Sequence, residues 1–121
     1  MKNKENILII LTVLPILVLI ILWNSLPEQI PIHWNFSGEI DGYGSRYLVI
    51  LIIVPAYFLT RLATSSIPGK FKERWGRVRL FIMLFLAVIS VSIIVAGFGY
   101  PVPMVPMAAG GIVALSALSL V

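Results

Sequence analysis

The sequence predicts an all-α polytopic membrane protein, with four transmembrane helices and an ordered extracytoplasmic loop between the first two. Three observations carry that expectation. Sixty per cent of the 121 residues are hydrophobic and only 12% are charged, with a mean hydropathy of +1.03, whereas an ordinary soluble domain carries roughly 25% charged residues. Four apolar runs approach the length needed to cross a hydrocarbon core of about 30 Å at 1.5 Å per residue. The Lys and Arg residues gather on alternate sides of those runs. A chain this short and apolar has too few polar side chains to cover a water-soluble surface.

The runs are residues 7–23, 47–63, 80–100 and 102–121 of a single membrane domain. The first sixteen residues of the first run contain fourteen Ile, Leu or Val, broken only by Thr12 and Pro15. Its insertion is favourable by roughly 5 kcal/mol at a few tenths of a kcal/mol per aliphatic residue. Continuous runs of this length mean helices, since barrel strands need strict in-and-out alternation over about ten residues. Pro15 and Pro55 are then kinks whose freed carbonyls find local partners. The first run also resembles a signal peptide, but it is long for one and ends in Trp23-Asn24-Ser25-Leu26-Pro27 without a small-x-small cleavage site, so it is expected to be retained.

Charge sets the orientation. The N-terminal segment with Lys2 and Lys4 nets +1, residues 24–46 net −2, and residues 61–79 net +5. Cytoplasmic loops collect Lys and Arg, so the N-terminus is expected inside, the flap 24–46 outside and the basic loop 64–79 inside. The fourth run stops at Val121 in mid-apolar sequence, which suggests a longer reading frame. Zero cysteines exclude a disulfide framework, a thiolate metal site and a cysteine nucleophile.

In the inner loop, Phe71, Trp75 and Val78 share one helical face while Lys70, Lys72, Arg74, Arg77 and Arg79 surround it. This basic amphipathic lead-in fits an anionic lipid surface, each basic residue adding about 1 kcal/mol, or an acidic cytoplasmic partner. Nucleic acid is not an expected partner for so apolar a chain. In the outer flap, Ile30, Ile32, Trp34 and Phe36 alternate with Gln29, Pro31, His33 and Asn35, a short two-sided strand followed by the turn-rich Asn35-Phe36-Ser37-Gly38 and Asp41-Gly42-Tyr43-Gly44. Trp23, Trp34, Tyr43 and Tyr47 are expected to form an interfacial aromatic belt.

The pattern Pro31-x-His33-Trp34-Asn35-x-x-Gly38-x-x-Asp41, after Leu26-Pro27 and before Ser45-Arg46, resembles the signature of a bacterial membrane domain of unknown function found at the N-terminus of the sporulation-delaying-protein immunity family. The resemblance implies a multi-pass cell-membrane protein, associated in some members with self-protection against a secreted toxin and with signalling to a cytoplasmic repressor. It makes Pro31, His33, Trp34, Asn35, Gly38 and Asp41 the candidate binding residues. A secreted peptide or toxin and a cytoplasmic regulator are the implied partners besides the bilayer.

Read by their own chemistry, these residues leave several roles open. His33, Glu39 and Asp41 are a weak metal set, and no metal or other cofactor is expected. No serine, lysine or glutamate motif accompanies His33 to suggest catalysis, so the protein is not expected to be an enzyme. His33 and Asn35 can hydrogen-bond within the flap, Asp41 can form an Asx turn or pair with Arg46, or the group can contact a partner. No acid, lysine or histidine is expected inside the bundle, which argues against transport. Ser92 with Ala96 and Gly110 with Ala114 have the four-residue spacing of close helix packing, within the bundle or between copies. The leading expectation is an immunity-like module that binds or excludes a toxin or peptide at the flap. The other is a structural subunit of a larger membrane complex that docks through helices 3 and 4.

Overall fold

The structure, a computed structural model, describes residues 2–120. The Lys2 side chain, which contributes to the N-terminal charge, and Val121, where the fourth run was expected to end, lie outside the described residues. Four helices account for most of the chain: α1 (Lys2–Ile21), α2 (Leu48–Thr64), α3 (Lys72–Gly97) and α4 (Met104–Ser119). A two-stranded antiparallel sheet, β1 (Gln29–Trp34) and β2 (Ile40–Ser45), lies between α1 and α2. The expectation of an all-α chain is corrected at that point: the flap is a β-hairpin, and Ile40-Asp41-Gly42-Tyr43-Gly44-Ser45, which reads as turn chemistry, is its second strand.

Two helices begin earlier than their apolar runs. Asn3-Lys4-Glu5-Asn6 contains no helix breaker, so α1 starts at Lys2 and carries Lys4 and Glu5 in its first turns. The basic segment is not a separate lead-in either. After Pro68 and a 3₁₀ turn over Gly69–Phe71, α3 runs unbroken from Lys72 to Gly97, 26 residues or about 39 Å. The helices over Asn3–Ile21 and Gly69–Gly97 are long and apolar enough to cross a membrane, whereas Leu48–Thr64 and Met104–Ser119 are shorter apolar helices.

The ends of α1 and α3 follow from local chemistry. α1 closes in a 3₁₀ turn over Trp23–Ser25, and Leu26 swings to an extended ψ of 135°, the conformation favoured before a proline. α3 ends at Gly97; Gly99 then takes a φ of +91° before Pro101 and Pro103, a stop that a β-carbon would strain.

α3 is the central element and touches α1, α2, α4 and β1. One apolar cluster, Leu19, Leu26, Ile30, Val49, Ile93, Ile94 and Met104, joins the hairpin to the nearby helix ends. A second, Leu8, Ile53, Tyr57, Met83 and Ala87, fills the opposite half. Outside these clusters all four helices turn large apolar side chains outward, among them Ile10, Ile21, Leu51, Leu59, Leu62, Ile112 and Val113. Soluble monomers rarely expose contiguous apolar surface on that scale, and with the two long helices this supports a membrane location.

Small residues pack differently from the spacing rule. A β-carbon at Gly110 would meet nothing within 4 Å, whereas one at Gly111 would collide with the Phe85 ring. Gly111, not Gly110, lets α4 approach α3, and Ala114 is exposed. Ala96 is buried, but Ser92 is only partly so and donates to the Val88 carbonyl of its own helix.

Candidate functional site

The hairpin is built by turn chemistry at its tip and by packing at its base. The Asn35 N–H donates to the Glu39 carbonyl at 2.9 Å, the Gly38 N–H donates to the Asn35 carbonyl at 3.0 Å, and the Glu39 N–H donates to Asn35 Oδ1 at 3.0 Å. Gly38 adopts a φ of +85°, a conformation that favours glycine. At the base the Arg46 N–H donates to the Glu28 carbonyl at 3.2 Å. The register pairs Ile30 with Gly44 and Trp34 with Ile40, with irregularities on either side of His33. Pro31 has no N–H to offer a ladder, and the nearer irregularity follows directly after it.

This register gives the hairpin two unlike faces. Ile30, Ile32 and Trp34 pack on the apolar cluster at the hairpin end of the helices, and Pro31 is buried. Gly97 of α3 receives this face: a β-carbon there would lie 2.9 Å from both Ile30 Cγ2 and Leu26 Cδ1. On the other face the His33 and Asp41 side chains are 70% and 44% exposed, and His33 Nδ1 meets Asp41 Oδ1 at 2.5 Å. Gly42 stands opposite His33, where a β-carbon would come within 3.0 Å of His33 Cβ.

Of the motif residues, the structure therefore sets Pro31, Trp34, Asn35 and Gly38 to building the hairpin and leaves His33 and Asp41 on its open face. Asp41 pairs with His33 rather than with Arg46. Arg46 instead donates from one nitrogen to the Trp23 and Leu26 carbonyls, at 2.8 and 2.9 Å, and lays its guanidinium 3.7 Å from the Trp23 ring centroid. The Trp23 ring also meets Tyr47 edge-on at 4.9 Å. Among the described residues no group of three or more His, Asp or Glu side chains converges.

Two exposed aromatic residues of the hairpin lie outside the motif. Phe36, which sequence alternation put with Ile30 and Trp34, is 100% exposed because the turn begins before it and carries it off the strand. Tyr43 is exposed on β2. Once β2 is known to be a strand, its own alternation places Tyr43 two residues from Asp41.

A second polar cluster closes the opposite end of the helices. Glu5 of α1 accepts from the Arg79 guanidinium of α3 through Oε1 and from the Tyr57 hydroxyl of α2 at 2.9 Å through Oε2. Arg61 donates to the same hydroxyl at 3.1 Å, and Arg79 Nε donates to Thr60 Oγ1 at 3.0 Å. Arg79, expected among the lipid-facing basic residues, is instead 4% exposed. The expectation of no acid inside the bundle is likewise corrected by Glu5, half-buried at the α1–α3 contact. The apolar run begins only at Ile7, so hydropathy alone does not put Glu5 in a helix.

The other basic residues lie along the first turns of α3 and the turn before them. Lys72 Nζ donates to the Thr64 carbonyl at the end of α2, 2.9 Å away, and Arg77 lies 3.9 Å from Glu73 one turn before it. Lys70 and Arg74 stand over the Phe71 ring at 5.1 and 5.6 Å. Trp75 Nε1 donates to Thr64 Oγ1 at 2.9 Å, fixing the indole between α2 and α3. A cavity of about 820 Å³ opens between the first turns of α1 and α3.

Residues 10–59 match the family model described as Domain of unknown function (DUF1648). That stretch includes most of α1, the whole hairpin and the first three turns of α2. Neither the curated proteins nor the solved structures contain a match to the chain.

Proposed function

We propose that the chain is a multi-pass membrane protein of the immunity-like family that binds or excludes a secreted toxin or peptide at the open face of its hairpin. The single observation that carries the reading is the division of labour within the hairpin. One face is fixed on the helices through Ile30, Ile32 and Trp34, and the other presents His33, Asp41 and Tyr43 to whatever lies outside, with the fully exposed Phe36 at the turn beside them in sequence. Aromatic side chains supply much of the binding energy at protein and peptide interfaces. The match over residues 10–59 includes every residue of the motif, and the resemblance of that motif to the immunity family supplies the class of partner.

In this reading the N-terminus is cytoplasmic, the hairpin is extracytoplasmic and all four helices span the bilayer. α2 and α4, at 17 and 16 residues, would cover about 25 Å, a mismatch that local thinning of the bilayer accommodates. The protein acts by binding and not by catalysis, and a cytoplasmic regulator would meet the Lys70–Arg77 surface.

The test is protection. Cells that make the chain should survive a toxin of the sporulation-delaying type better than cells without it, and a Phe36→Ala, His33→Ala, Tyr43→Ala triple variant present at the same level should lose most of that advantage. Full protection by the well-expressed triple variant would remove the hairpin from the mechanism.

A second reading, a structural subunit of a larger membrane complex, is favoured by α4. This helix packs mainly on α3 and turns Ile112 and Val113 outward. Recovery of the chain in a stable larger assembly in mild detergent, lost in an Ile112→Ala, Val113→Ala variant, would support it.

A further inference from the structure

We propose that the cavity between the first turns of α1 and α3 holds one anionic phospholipid of the cytoplasmic leaflet, its phosphate on Lys4 and Lys72 and its apolar part on Leu8, Trp75 and Leu80. The proposal rests on the membrane orientation given above. At about 820 Å³ the cavity falls in the range of about 300–1,000 Å³ that encloses a drug-sized molecule, and it is far larger than a bare phosphate needs. Gly69 and Gly76 line it, and a β-carbon at either would meet nothing within 4 Å, so its wall is open there.

The charge facing this space is positive once each group is paired off. Glu5 is held by Arg79, Tyr57 and Arg61, and Glu73 lies beside Arg77. Lys4 makes no ion pair among the described residues, and Lys72 uses one of its three N–H donors on the Thr64 carbonyl. Two ammonium groups thus line the cavity with donors left over.

Direction along the helices matches a lipid. α1 and α3 run parallel, since Glu5 meets Arg79 at one end while Leu19 packs with Ile93 and Ile94 at the other. Both walls of the cavity therefore run in the same sense toward the middle of the bundle, from Lys4 to Leu8 and from Lys72 to Leu80, with the mutually paired Glu5 and Arg79 between the cationic and apolar ends. With the N-terminus in the cytoplasm, that gradient is the one an inner-leaflet phospholipid presents, anionic at the surface and apolar below. Basic pockets between membrane helices on the cytoplasmic side bind anionic headgroups on the same physical grounds.

Trp75 reports on occupancy. A Trp23→Phe, Trp34→Phe background leaves it as the one tryptophan of three, and this protein can be reconstituted with brominated phosphatidylglycerol or brominated phosphatidylcholine. The expected result is half-maximal quenching of Trp75 at a several-fold lower fraction of the anionic lipid, with Lys4→Gln and Lys72→Gln each raising that fraction about five-fold. Equal quenching by the two lipids overturns the site while leaving the membrane reading intact. Quenching by neither overturns the membrane reading on which the site rests. If millimolar inorganic phosphate abolishes the preference, the site serves the free anion and the lipid proposal fails.

Discussion

Glu5 and Arg79 lie 74 residues apart in the sequence and are joined by a direct carboxylate–guanidinium contact between α1 and α3. The two partners are unequally hydrated: the Arg79 side chain is 5% exposed and that of Glu5 38%. Removing one partner of a buried pair costs about 3–5 kcal/mol, because the other is left charged without compensation. Here the two deletions are unequal. Glu5→Leu leaves a buried guanidinium with Thr60 and the carbonyl and ring of Tyr57 but no counter-charge, and should destabilise by about 2–4 kcal/mol after allowance for the hydration of Glu5. Arg79→Met leaves a carboxylate that keeps Tyr57, Arg61 and water, and should cost about half as much. The Glu5→Leu, Arg79→Met double variant should recover much of the loss, as contacting residues are not additive. Unfolding titrations in detergent measure all three, and simple addition of the single losses would show that the pair is not coupled.

Gly97 seats the hairpin. Valine at this position would push on Ile30 and Leu26, both buried and each 2.9 Å from the site of a new β-carbon. Backbone amides of β1 in Gly97→Val should exchange with solvent at least ten-fold faster, while those in the middle of α3 keep their protection. Unchanged exchange in β1 would mean that the hairpin is not anchored on α3.

Gly111 and Gly110 are adjacent and should respond oppositely to the same substitution. Gly111→Leu collides with Phe85 and should detach α4 from α3, with a loss of about 1–3 kcal/mol typical of overpacking. Gly110→Leu enters open space and should be neutral or slightly stabilising, since glycine is a poor helix former by about 1 kcal/mol. Thermal melts in one detergent compare them, and equal effects would contradict the α3–α4 contact.

Topology can be read by labelling. Ser37, at the hairpin tip, and Ser66, between α2 and α3, are both exposed, and the chain has no native cysteine. A cysteine at 37 should react with an impermeant thiol reagent in intact cells and one at 66 only after the cells are opened. The reverse pattern would invert the orientation and place the hairpin in the cytoplasm.

The helices were legible in the sequence because apolar runs and helix geometry share one length scale, so the four helices coincide with the four runs to within a few residues at most ends. The exceptions are the starts of α1 and α3, where polar residues continue a helix that hydropathy alone does not detect. The turn at Asn35 and Gly38 was legible for the same local reason, since their side-chain and φ requirements are met within four residues. What sequence could not decide was every relation between residues distant in the chain. That Asp41 turns to His33 and Arg46 to Trp23 follows from a register fixed only when β1 lies on Gly97 of α3. Nothing local in the sequence joins Glu5 to Arg79, because pairing across two helices has no periodicity to betray it. Composition and periodicity determine which segments become helices; the tertiary packing around α3 decided which charges are buried, which face of the hairpin is free and where a cavity remains.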